Sequence, residues 1–134
     1  MAKPVLRPTG AKTIVVMDDE QLVLRSMTRR LTLAGYHVKA FSDPVRLIQA
    51  LCELNMEFDL LLTDMDFDDG SGWSGARIIE ELRREGFDQP MILWSGGKNI
   101  DRVTIGPNSS TLKMGKGDIA DLLTRIYDLL DISA

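Results

Sequence analysis

Three short apolar runs set the strongest constraint on how this chain can fold. Ile14-Val15-Val16-Met17, Leu60-Leu61-Leu62 and Met91-Ile92-Leu93-Trp94 are continuous rather than alternating, the pattern of strands covered on both faces. Each stops abruptly at polar residues: Asp18-Asp19-Glu20, Thr63-Asp64 and Ser95-Gly96-Gly97. Between the runs the apolar spacing switches to that of helices. Val23, Leu24, Met27, Leu31 and Ala34 make one stripe, with Arg25, Arg29 and Arg30 on the wet side and Gly35 placed to end the helix. A second strand is predicted over residues 37–41. Ser42 or Asp43 before Pro44 marks the next helix start, with Leu47, Ile48, Leu51 and Leu54 as its buried face. Residues 73–85 read as a third helix burying Ile78, Ile79 and Leu82 and ended by Gly86. Residues 99–105 fit about two turns before Gly106-Pro107 stops them, and a short fifth strand follows near residues 110–112. Ile119, Leu122, Leu123, Ile126 and Leu130 give the last helix its apolar face.

Strand and helix alternate five times, which predicts an α/β fold: a doubly wound, five-stranded parallel sheet with helices on both faces and a shortened fourth helix. The 134 residues suffice for one domain. Pro4, Pro8 and Gly10 lie in a stretch without periodicity, so residues 1–12 are expected to be a flexible tail and residues 13–134 the domain. A formal charge of −4 and the lack of any basic run disfavour direct nucleic-acid binding. Cys52 is the one cysteine, which excludes an internal disulfide and a multi-cysteine metal site, and its helical apolar context predicts a buried small hydrophobe. The first residues lack a signal-peptide core and no apolar run approaches ~18 residues, so no membrane insertion and a cytoplasmic location are expected.

In open parallel sheets the chemistry sits at the carboxyl ends of the strands, where the strand order reverses. That rule selects Asp18, Asp19, Asp64, Ser95 and Lys113 together. Carboxylates converging there repel by ~4 kcal/mol per close pair at an effective dielectric near 20. A hard divalent cation relieves this, and Mg²⁺ suits a site that handles phosphate because it keeps positions for water and phosphoryl oxygens. With a single histidine, His37, to which no role is assigned, zinc and softer metals fit poorly. A carboxylate neutralised in this way, with Lys113 as a second positive charge, can act as nucleophile toward a phosphoryl group.

The acidic pair in Ile-Val-Val-Met-Asp18-Asp19-Glu, Asp64 after Leu-Leu-Leu-Thr, Ser95 closing Met-Ile-Leu-Trp-Ser and Lys113 resemble, in this order, the receiver domain of two-component response regulators. The resemblance covers roughly residues 12–131, within the 13–134 domain, and implies a flavodoxin-like sheet of order 2-1-3-4-5. It further implies that Asp64 takes a phosphoryl group from a sensor histidine kinase or histidine phosphotransfer protein. Asp19 would ligate Mg²⁺ directly, Asp18 mostly through water and Asp66 through its backbone carbonyl, while Ser95 and Lys113 hold the phosphoryl oxygens. Such a domain catalyses only its own phosphorylation and dephosphorylation and signals to a downstream protein partner. Three features depart from the family pattern: Met114 stands where a proline commonly follows the lysine, Ser110 where an aromatic is common, and the span from Ser95 to Lys113 is several residues short. Two alternatives stand beside it. Asp64-Met65-Asp66 is also like the nucleophile and acid pair of haloacid-dehalogenase phosphohydrolases, although there the acidic metal pair follows the lysine. A degenerate receiver acting only as a docking module is the other. The G-x-G-x-x-G string from Gly70 to Gly75 is interpreted as a flexible turn, because the neighbouring aspartates repel a pyrophosphate. Asp64-x-Asp66-x-Asp68 lacks the glycine and glutamate of a calcium loop.

Overall fold

A computed structural model of the chain describes residues 11–65, 67, 72–95, 111–115 and 119–132. Five strands, β1 (Thr13–Met17), β2 (His37–Phe41), β3 (Leu60–Asp64), β4 (Met91–Ser95) and β5 (Thr111–Gly115), form one sheet. Its order is β2-β1-β3-β4-β5, and every neighbouring pair is parallel. The helices α1 (Gln21–Leu33), α2 (Pro44–Ile48), α3 (Gly75–Arg84) and α4 (Ile119–Ile132) connect or follow the strands. The first ten residues, Asp66, Gly70, Gly96 and Gly97, the two turns expected at 99–105, Gly106-Pro107 and Ser110 lie outside the described residues.

Because strand side chains alternate, the two faces of the central strands build two separate cores. Val15, Met17, Leu61, Met91 and Leu93 point to one face and pack with Leu47 of α2, Leu51 just beyond it, and Ile78, Ile79 and Leu82 of α3. Ile14, Val16, Leu60, Leu62 and Ile92 point to the other and meet Leu24, Met27 and Leu31 of α1 and Leu122, Ile126 and Leu130 of α4. Burial on both sides explains why these strands are apolar without alternation. Among the described residues no helix is long and apolar enough to cross a membrane.

The helix ends follow their local chemistry. Asp43 caps α2, its Oδ1 accepting from the Val45 N–H at 2.9 Å. Gly35, at φ 104°, and Tyr36 close α1 by donating to the Thr32 and Leu31 carbonyls. Three expectations need correction. Leu54 is 76% exposed, not buried. After Ile48 the helix widens into a π turn over Gln49–Glu53, which rotates Leu54 off the stripe, and Met56 packs on the core in its place. Ala34 is exposed as well, because it lies in the turn that ends α1. The third helix begins at Gly75 rather than at 73, since the Ser74 hydroxyl accepts from the Arg77 N–H at 3.2 Å and so fixes the start.

Cys52 is only half-buried, packed against the α2–α3 core. Desolvation, and then the charges of Glu85, Glu81 and Glu53, push its thiol above the ordinary value. The thiolate is the reactive form, so at pH 8 iodoacetamide is expected to alkylate Cys52 more slowly in the folded protein than in urea. Equal rates would show that the folded environment does not restrain the thiol.

Candidate functional site

Register brings the site together. Met17 pairs with Thr63, Thr63 with Leu93 and Leu93 with Lys113, which makes one row across the sheet. One residue further on, Asp64, Trp94 and Met114 form the next row, and Asp18 follows Met17 at the same level. Ser95, opposite Gly115, stands one row beyond. The chain leaves β1 toward β2 on one side and reaches β3 on the other, so Asp18 and Asp64 flank the crevice where strand order reverses.

One carboxylate oxygen from each of Asp18, Asp19 and Asp64 can be chosen so that all three lie within 4.8 Å of one another. Asp18 is only 4% exposed, whereas Asp19 and Asp64 are half-exposed, so the cluster has a closed floor and an open mouth. Asp18 does not cap α1: the capping position is Glu20, which makes no side-chain cap bond. Instead the Asp18 Oδ1 accepts from the Glu20 N–H at 2.9 Å, a local turn that restrains the carboxylate. Trp94 lines a small cavity together with Asp18 and Asp64, and its Nε1 donates to the Gly115 carbonyl at 3.1 Å.

The donor set fits a hard divalent cation. Three anionic oxygens at this spacing, one of them sunk below the surface, match a cation that takes one or two carboxylates and keeps several waters. They offer no nitrogen or sulfur for zinc.

Lys113 is placed differently from the sequence expectation. The fifth strand runs over Thr111–Gly115 instead of ending near residue 112, so Lys113 sits inside it rather than after it. The reason is pairing: five consecutive residues of β4 find partners in β5, which the short apolar content of Thr111–Gly115 does not announce. The backbone still puts Lys113 near the sheet edge that carries the aspartates, one row before Asp64.

What holds Asp64 in place is visible only in the folded backbone. After Asp64 the chain turns, the Met65 N–H bonding to the Trp94 carbonyl at 3.1 Å and the Met65 carbonyl accepting from the Gly75 N–H at 2.8 Å. The first turn of α3 is thereby drawn directly onto the end of β3. A Cβ on Gly75 would lie 2.1 Å from the Asp64 carbonyl oxygen and 2.6 Å from Leu93 Cδ1. Gly75 is therefore a buried contact residue rather than part of a flexible turn; the only hint was a glycine directly after a serine cap. Beside it, the Arg77 guanidinium stacks 4.3 Å over the Trp73 ring and Nη1 donates to the Gly72 carbonyl at 3.3 Å, which stiffens the approach to the helix.

Comparison with known proteins agrees with this geometry. The sequence profile of the family described as response regulator receiver domain matches residues 14–106. The two-component response regulator ARR10 of Arabidopsis thaliana is 29% identical over 125 residues, 93% of this chain and 21% of that protein. The transcriptional regulatory protein GltR of Pseudomonas aeruginosa is 30% identical over 90% of this chain and 50% of its own length. The chain thus spans a fifth to a half of these two relatives. Among solved structures, the response regulator protein TrrA from Thermotoga maritima, in complex with Mg²⁺-BeF, superposes with a TM-score of 0.75 at 19% identity, covering 88% of this chain and 98% of that one.

Proposed function

Because the chain belongs to the response regulator receiver domain family, we propose that its acidic crevice is a phosphoacceptor site and that Asp64 receives the phosphoryl group. The observation that carries this is the convergence of Asp18, Asp19 and Asp64 within 4.8 Å at the strand-order reversal. A carboxylate oxygen of Asp64 attacks phosphorus, an O–P bond forms, and the P–N bond of a phosphohistidine on a sensor histidine kinase or phosphotransfer protein breaks. The electron pair leaves on the imidazole nitrogen, and the product is an acyl phosphate on Asp64. Lys113 and the Ser95 hydroxyl would hold phosphoryl oxygens, the lysine as a fixed charge and the serine as a donor. Asp18, Asp19, Asp64 and Asp66 would hold Mg²⁺. When bound, that ion supplies positive charge against the phosphoryl oxygens and the carboxylates. The domain, taken as residues 13–134, acts in a cytoplasmic phosphorelay, modifies only itself and passes the signal to a protein partner rather than to nucleic acid.

The test is direct. Incubation with Mg²⁺ and a small acyl phosphate is expected to add one phosphoryl mass to the intact protein, labile to hydroxylamine as an acyl phosphate should be. A folded protein that gains no mass would leave only the docking-module alternative, and steady turnover of phosphomonoesters would favour a hydrolase.

Mg²⁺ alone is also expected to bind, weakly, because it retains most of its waters. Trp94, beside Asp18 and Asp64, reports it by fluorescence once Trp73 is replaced by Phe. Asp19→Ala is expected to weaken the titration tenfold or more, ~1.4 kcal/mol at the least. An unchanged titration curve places the ion elsewhere.

A further inference from the structure

The end of the sheet opposite the carboxylates holds a contact that bears on the site. Arg83, in the last turn of α3, is half-buried, and its Nη1 donates to the Phe87 and Gln89 carbonyls, both at 2.9 Å. Its Nη2 donates to the Thr111 hydroxyl at 2.8 Å. Thr111 is the first residue of β5, and β5 is an edge strand with β4 as its single neighbour. An edge strand of five residues, Thr-Leu-Lys-Met-Gly, has only Leu112 and Met114 as an apolar pair on one face, a short pattern to specify its register. A slip of one residue moves Leu112 or Met114 into the row of Lys113 and turns every side chain to the other face. The planar guanidinium is suited to prevent this, since it joins α3, the loop before β4 and the start of β5 in one rigid fork.

We infer that Arg83, through its bond to Thr111, is a positioning residue that fixes the register of β5 and so sets Lys113 for phosphoryl transfer. The inference rests on the role proposed above for Lys113. Arg83 lies at the far end of α3 from Asp64, and its link toward the site is the bond to Thr111 at the start of β5. Burial lowers the guanidinium's affinity for its proton, an effect that Asp88 opposes, and the group stays charged at any working pH.

Thr111→Val isolates the link, because it removes the hydroxyl and keeps the shape, leaving the bonds of Arg83 to the Phe87 and Gln89 carbonyls intact. Labelling by a small acyl phosphate at saturating Mg²⁺ is expected to slow three- to tenfold in Thr111→Val, with the urea midpoint nearly unchanged. Thr111→Ser, which keeps the hydroxyl, is expected to restore the parent rate. In a Lys113→Ala background, itself slow, Thr111→Val should slow labelling no further, since the link acts through the lysine. Equal slowing in both backgrounds would assign Arg83 a general structural role and overturn the inference. So would a Thr111→Val protein that labels like the parent while Lys113→Ala does not, with the functional proposal left standing. If Lys113→Ala labels as fast as the parent, the role of the lysine falls and this inference falls with it.

Discussion

Asp64→Asn is expected to abolish labelling by acyl phosphate while leaving the fold intact or slightly more stable. The amide has nearly the shape of the carboxylate but has no anionic oxygen to attack phosphorus, so the loss is chemical and not steric. The same change removes one negative charge from a cluster whose members lie within 4.8 Å of each other. At an effective dielectric near 20, each such close pair carries up to ~4 kcal/mol of repulsion, and screening at the open mouth leaves a fraction of that as a gain in stability. Intact mass and a urea midpoint measured on the same sample separate the two effects. Asp19→Asn is the control: it relieves a similar repulsion and retains the nucleophile, so it should label slowly rather than not at all. Full labelling of Asp64→Asn would show that the phosphoryl group lands elsewhere and would remove the basis of the functional proposal.

Gly75→Ala is expected to destabilise the protein by about 3 kcal/mol, at the upper end of what overpacking one methyl usually costs. Alanine is the better helix former by roughly 0.5–1 kcal/mol, so intrinsic propensity alone predicts a gain. The contact decides otherwise. The new methyl would sit 2.1 Å from a main-chain oxygen, and a backbone atom cannot step aside as a flexible side chain can. Either α3 lifts from the sheet or β3 moves, and both disturb Asp64. Gly86→Ala gives the contrast: at φ 100° with open space around it, the cost is backbone strain alone, roughly 1–2 kcal/mol, and the site is untouched. Thermal melts with an acyl phosphate labelling assay would show Gly75→Ala losing about 10 °C, at roughly 2–8 °C per kcal/mol, together with a slowed rate. A Gly75→Ala protein as stable as the parent would mean that α3 does not press on the end of β3.

How much the amino-acid string determines differs from one element to the next. Ile14 to Met17 and Leu60 to Leu62 announce strands because burial on both faces leaves no room for polar residues, and that requirement is local enough to read. Asp43 before Pro44 and the glycines at 35 and 86 mark helix ends because capping is satisfied within a few residues. The alternation of strand and helix, with right-handed crossovers, is then enough to bring Asp18, Asp19 and Asp64 to one edge. β5 was different. Thr111–Gly115 has little pattern of its own, and its length and register come from β4 on one side and from Arg83 on α3 on the other. The π turn that exposes Leu54 and the bare approach of Gly75 to the Asp64 carbonyl belong to the same class. Local hydrogen bonding and two-sided burial are written in neighbouring residues, so the sequence alone determined β1, β3 and β4, the helix ends at Asp43, Gly35 and Gly86, and the acidic edge. Close packing between segments far apart in the chain depends on where both backbones lie, so only the tertiary structure decided the register of Lys113 and the contact that holds Asp64.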